Sequence, residues 1–198
     1  MTIAAQNREL FRHDLRPPVR YNAAAQALHW LTALLMFAIL PVAWHMTTMA
    51  RDNPTRETWY TVHKSLGLTI LALAVIRLVI RALNPPPPLP GLMGRLEEGA
   101  AVASHWLLYL VLLVMPISGY LISAAGGHAV SYFGLFEIPS FVPESAKVAL
   151  TAVQVHLLTQ WAVYGLIALH LLATAWHLTV RRDDVLARML PQQDRAAS

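Results

Sequence analysis

The chain contains no cysteine, an absence that removes disulfides, iron–sulfur clusters, covalently attached c-type haem and thiol catalysis together. Charge is scarce as well. Only 13% of residues are Asp, Glu, Lys or Arg, about half the share of an ordinary soluble domain. Acidic side chains are missing altogether from four long apolar runs: Ala27 to Met46, His63 to Leu83, Ser104 to Ala125, and about Ala149 to Val180. A zinc or di-iron site, which needs three or four histidine and carboxylate ligands converging at one depth, therefore has little to draw on inside those runs.

Hydrophobic residues fill the space that charge leaves, at 56% of 198 residues with a mean hydropathy of +0.46. Each run reaches the roughly 20 residues that a membrane-spanning helix requires. The expected fold is all-α, an integral membrane four-helix bundle. The first 26 residues are polar and mixed in charge, and no small-residue cleavage site interrupts the first run, so a cleaved signal peptide is not expected. Arg8, Arg12, Arg16, Arg20, Arg77, Arg81, Arg95, Arg181, Arg182, Arg188 and Arg195 would lie on one side of the bilayer; Arg51, Arg56, Lys64 and Lys147 would lie on the other. That asymmetry predicts both termini in the cytoplasm. Residues 1–26 then form a cytoplasmic extension, 27–180 the transmembrane domain and 181–198 a cytoplasmic tail. The net charge of +4 is carried by arginines flanking the spans, which points to anionic lipid headgroups and not to nucleic acid.

Proline and glycine punctuate this plan. Pro17 and Pro18 block a continuous helix through the extension, and Pro85 to Pro88 with Pro90 make a stiff link after the second span. Gly126 and Gly127 end the third, before an external loop carrying Tyr132, Phe133, Phe136 and Phe141 at interfacial depth. Pro41 and Pro116 are expected to kink their helices, and Gly67, Gly119 and Gly165 to admit a close neighbour.

Seven of nine histidines fall in or beside the spans: His29, His45, His63, His105, His156, His170 and His177. Ionisable groups at such depth usually face the bundle interior and serve ligands, ions or protons. His156 and His170 are fourteen residues apart on one helix, ~21 Å along its axis and within about 40° of the same face. Given the predicted topology, His63 shares the outer depth with His156, and His29 the inner depth with His170. Two such imidazole pairs suit the axial positions of two b-type haems. Spacing alone leaves His105, which opens the third span at the depth of His29, as another inner ligand. It also leaves open a non-redox protein whose histidines bind a transition metal or relay protons. Arg77 and Arg81 match carboxylates such as haem propionates, while His45 reads as interfacial. His177 lies ~10 Å nearer the cytoplasm than His170, where a propionate or a quinone carbonyl would be in reach.

The segments Ala27-Leu28-His29-Trp30-Leu31, Val62-His63-Lys64-Ser65-Leu66-Gly67 and Ser104-His105-Trp106, the set His156, His170 and His177, and the closing Leu186-Ala187-Arg188-Met189-Leu190-Pro191 together resemble the prokaryotic cytochrome b561 family over roughly residues 20–191. The resemblance implies a di-haem b protein of the bacterial inner membrane that exchanges electrons with the quinone pool, ubiquinone being the expected substrate. It assigns His29 with His170 and His63 with His156 as axial ligands of the haem irons. The electron donor it implies is superoxide or a redox protein partner, and related b subunits serve dehydrogenases and hydrogenases. Lys64, beside His63 at the outer end of its helix, would add positive potential for an approaching anion.

Overall fold

The computed structural model of the chain describes residues 19–89 and 93–191. Four long helices follow one another: α1 (Ala23–Thr48), α2 (Arg56–Leu83), α3 (Arg95–Ala125) and α4 (Ala146–Trp176). They form the expected four-helix membrane bundle. The proline pair at 17–18, Pro90, and the last seven residues lie outside the described residues, as do the arginines at 8, 12, 16 and 195.

Every helix starts earlier than its apolar run: by four residues in α1, seven in α2, nine in α3 and three in α4. In α1 and α4 the reason is side-chain capping. The Asn22 side chain accepts the Ala25 N–H at 2.8 Å, and Ser145 Oγ accepts that of Val148 at 3.4 Å, so polar residues begin helices that hydropathy alone cannot extend. Glu57 in α2, and Glu97 and Glu98 in α3, occupy first turns, where the helix dipole favours negative charge.

The bundle is apolar outside and partly polar within. Leu34, Phe37, Leu158, Trp161 and Leu172 are exposed on its flanks, whereas Thr32, Ser65, Ser118 and Ser123 are buried. Such hydroxyls are affordable inside because each can bond its own helix: Thr32 donates to the Leu28 carbonyl at 2.6 Å and Ser65 to that of Thr61 at 2.7 Å. Lipid then covers the exposed flanks.

Backbone packing is closest between α3 and α4, between α1 and α2, and between α2 and α3. Ile70 and Ala74 of α2 and Leu112 of α3 form the buried core, with Leu35, Met36 and Ile39 of α1 against it. No backbone packing of comparable extent joins α4 to α1 or α2 among the described residues. Both α1 and α3 run uninterrupted through Pro41 and Pro116. A Cβ on Gly67 would be 4.0 Å from Pro116 Cβ, an ordinary contact, while Gly165 faces open space and admits no close neighbour.

The connection between α3 and α4 is more ordered than a loop. Strands β1 (Val130–Tyr132) and β2 (Phe136–Ile138) pair antiparallel, with Tyr132 opposite Phe136. The reversal has positive φ at both Phe133 (50°) and Gly134 (73°), the pattern of a tight primed turn. This hairpin lies along α2: Ser65 Oγ accepts the Phe133 N–H at 2.7 Å, and the Tyr132 and Thr69 hydroxyls are 3.0 Å apart.

At the other end, α4 finishes in one π-helical turn (His177–Arg181), the chain reverses at Arg182 with φ of 54°, and a 3-10 turn (Ala187–Met189) follows. Residues 186–191, part of the expected cytoplasmic tail, thus fold back onto the start of α1.

Replacing Ser65 by Ala leaves the Phe133 N–H without its partner and should cost about 1 kcal/mol. In detergent, Ser65→Ala should melt at a lower temperature and be cut sooner within residues 130–138 by limited proteolysis, with the helix content by circular dichroism unchanged.

Candidate functional site

The histidines of α4 meet their partners across the space where α4 stands back from α1 and α2. His63 of α2 and His156 of α4 have ring centroids 6.2 Å apart at an interplanar angle of 76°. His29 of α1 and His170 of α4 are likewise 6.2 Å apart, at 60°. Fourteen residues of α4 separate the two places, so the pairs are stacked ~21 Å apart along the bundle.

Hydrogen bonds orient the His63–His156 pair, which is named outer, as His29–His170 is named inner, after the predicted topology. A carbonyl can only accept, so the His156 Nδ1–H donates to the Met115 carbonyl at 3.0 Å, leaving Nε2 as the nitrogen with a free lone pair. Ser118 Oγ lies 3.1 Å from the same Nδ1 and donates to the same carbonyl at 2.8 Å. Gly119 gives this ring its place: a Cβ there would be 3.1 Å from His156 Cε1. On the opposite side His63 Nδ1 is buried with no hydrogen-bond partner among the described residues. The two rings open into a largely apolar cavity of about 1000 Å³, its open side included, lined by Ile39 and Trp44 of α1, Pro116 of α3, and Leu157 and Tyr164 of α4.

The inner site gathers three imidazoles. His105 of α3 lies 6.0 Å from His170, as near as His29 does, and its Nδ1–H donates to the Ala101 carbonyl at 2.6 Å. Arg77 of α2 faces His29 Nδ1 at 3.4 Å and lies over the Tyr109 ring at 5.4 Å; Arg81 lies over Trp106 at 5.4 Å. Among the described residues no group of three or more His, Asp or Glu is arranged to hold one metal ion.

The model of the family described as prokaryotic cytochrome b561 matches residues 20–192. The chain belongs to that family. It is 36% identical over 174 residues to cytochrome b561 homolog 2 of Escherichia coli K12, an alignment covering 87% of this chain and 92% of the relative. It is also 31% identical over 176 residues to the probable superoxide oxidase CybB of Yersinia pestis (88% and 97%), and 28% identical over 183 residues to E. coli cytochrome b561 homolog 1 (88% and 98%).

The protein is thus a b-type membrane cytochrome, and its residues fit the group that membership implies. Two imidazoles that would share one iron between them need room for it, and both pairs leave their ring centres 6.2 Å apart without direct contact. The outer cavity is apolar, as a macrocycle requires, and the unpartnered His63 nitrogen is a polar atom with no protein acceptor to satisfy it. The Met115 carbonyl holds the His156 imidazole in one tautomer, with Nε2 left free to bind a metal.

Two other predicted residues are engaged differently. His177, buried in the π-helical turn, has Nδ1 at 2.6 Å from Asp183 Oδ2 and Nε2 at 4.0 Å from Glu97 Oε1; Arg181 pairs with Glu97 at 3.4 Å. An anionic propionate would meet two carboxylates there, so the surroundings of His177 oppose that part of its expected role. His45 sits in the last turn of α1, edge-on to Trp59 at 4.7 Å. What sequence reasoning missed is the shell: Met115, Ser118 and Tyr109 carry no motif, although Gly119, facing a histidine, was a usable signal.

Overpacking at Gly119 costs about 1–3 kcal/mol, equivalent to roughly a five- to hundredfold loss of affinity. Gly119→Ala should retain less haem per chain than the parent by pyridine haemochrome assay, and Gly119→Leu less still.

Proposed function

We propose that the protein carries two b haems through the bacterial inner membrane and transfers electrons from the outer surface to ubiquinone, both termini being cytoplasmic. The carrying observation is the pair of facing imidazole sets, each at 6.2 Å, that share α4. His63 and His156 hold the outer iron, and His29 and His170 the inner one. Haem bound by two histidines supplies reversible one-electron chemistry with no open coordination position. Everything else falls to the chain's own residues: holding the rings apart, excluding water and setting local charge.

Two features support His29 over His105 as the partner of His170. The backbone of α3 packs closely on α4, whereas α1 stands off from it, and a flat macrocycle needs that separation. The second is charge. A guanidinium only donates, so the Arg77 contact requires His29 Nδ1 to accept. Arg77 beside His29 would supply a guanidinium to an anionic group of a haem held there, such as a propionate.

Superoxide is the donor this reading favours. The name of the Yersinia relative supports it, as does Lys64, which adjoins His63 in sequence at the outer end of α2. Two superoxide ions, one ubiquinone and two protons would give two molecules of dioxygen and one ubiquinol.

His156→Ala and His63→Ala should each halve the haem content by removing the outer group, and His170→Ala and His29→Ala by removing the inner one. All four should lower superoxide-driven ubiquinone reduction by the purified protein at least about tenfold, equivalent to ~1.4 kcal/mol or more. Ubiquinone reduction that requires a copurifying subunit would instead assign the protein to a larger dehydrogenase or hydrogenase complex, and a folded protein without haem would favour metal or proton transport.

Because the chain has no cysteine, single cysteines report topology cleanly. In intact spheroplasts an impermeant maleimide should label Ser140→Cys in the hairpin connection and leave Asn84→Cys unlabelled until the membrane is opened. The opposite pattern would invert the topology.

A further inference from the structure

The closing motif Leu186-Ala187-Arg188-Met189-Leu190-Pro191 has no part in the reading above, yet it is tied to the bundle more firmly than a tail requires. Arg188 is buried and bridges two other segments: Nε donates to the Val19 carbonyl at 3.1 Å, and a terminal nitrogen to that of Pro88 at 2.5 Å. In return, the Arg188 carbonyl accepts the Tyr21 N–H at 3.1 Å. Arg20 donates to the Leu190 carbonyl at 2.6 Å and to that of Pro191 at 2.9 Å. The approach to α1, the proline link after α2 and residues 186–191 therefore meet at one buried guanidinium.

One of these contacts leads to the inner site. Trp30 Nε1 donates to the Met189 carbonyl at 2.8 Å, and the Trp30 ring stands edge-on to His29 with centroids 5.3 Å apart and an interplanar angle of 82°. An indole fixed at its N–H by a backbone carbonyl cannot swing freely. The imidazole beside it is therefore limited in rotation from that side. His156 obtains the equivalent restraint from the Met115 carbonyl; among the described residues no carbonyl holds His29 in this way, and its Nδ1 faces Arg77.

We propose that the C-terminal segment is a positioning element for the inner axial histidine: Arg188 docks it, the Met189 carbonyl holds Trp30, and Trp30 sets the orientation of His29. This rests on His29 being an inner ligand. The orientation of an axial imidazole influences the electronic structure of the metal it binds, so the clasp tunes the inner haem and leaves the outer one, ~21 Å away along α4, untouched.

The test uses the full-length purified protein as parent, Trp30→Phe, Trp30→Leu, Arg188→Lys and His29→Ala. Haem is counted by pyridine haemochrome, the low-spin ferric signals are resolved by electron paramagnetic resonance, and the two potentials are separated by redox titration. Trp30→Phe keeps an aromatic ring but loses the N–H donor, and Trp30→Leu loses both. Expected is full haem content in the Trp30 and Arg188 variants, an unchanged outer signal, and a shift of the inner signal and potential that is larger in Trp30→Leu than in Trp30→Phe. Arg188→Lys, which cannot bridge two carbonyls with the same fork, should shift the same signal. An unmoved inner signal in Trp30→Phe and Trp30→Leu overturns the proposal, and so does equal movement of both signals, which would mark general loosening. His29→Ala separates the two readings. Loss of the inner haem there with silent Trp30 variants defeats the clasp alone, whereas retention of both haems defeats the ligand assignment and the clasp with it.

Discussion

Two pairs of imidazoles held about 6 Å apart inside an apolar bundle are the constraint on which the rest of the structure depends. Rings free to close that distance would gain a direct contact, and a bundle free to relax would bring α4 onto α1 and α2. Neither happens because α3 acts as the spacer. It packs along α4 on one side and on α2 on the other, and α2 in turn carries α1. The histidines of α4 are thereby presented to α1 and α2 across a slot whose width the backbone sets.

The same constraint accounts for the uneven use of small and polar residues. Gly119 makes room for His156 on the α3 side, and the Met115 carbonyl with Ser118 fixes its tautomer. On α2, Ser65 lies two residues beyond His63 and anchors the hairpin, so the outer connection is bonded to the helix that carries one member of the outer pair. At the inner end Arg77 and Arg81 lie against Tyr109 and Trp106. Cation–π contact with these rings offsets part of the cost of placing guanidinium groups near the bundle interior. Lipid-facing positions show no such discrimination, since any large apolar side chain serves there.

Two elements escaped sequence reasoning for identifiable reasons. The hairpin strands are three residues each, too short for alternation to register, and the turn places Phe133, a residue poorly suited to positive φ, in the left-handed region. The stability of such a turn comes from Ser65 and Thr69 on another element. The folded-back C-terminus escaped because its bonds are made by backbone carbonyls, which every sequence has. Nothing in Arg188 taken alone distinguishes a residue that crosses to Val19 and Pro88 from one that anchors to lipid.

The sequence by itself determined the medium, the number of spans, and the depth of the histidines, because hydropathy and helical rise are properties of consecutive residues. It therefore also determined that His63 and His156 could meet, since they share one depth on different helices. Tertiary structure alone decided which rings face one another and how far apart. At the inner end depth left His29 and His105 equivalent, and both do approach His170, at 6.2 and 6.0 Å. What distinguishes them is that α3 packs against α4 while α1 stands away, a fact about helix arrangement that no linear spacing contains. The shell of carbonyls, hydroxyls and one glycine around the imidazoles was settled in the same way, by packing between segments far apart in the chain.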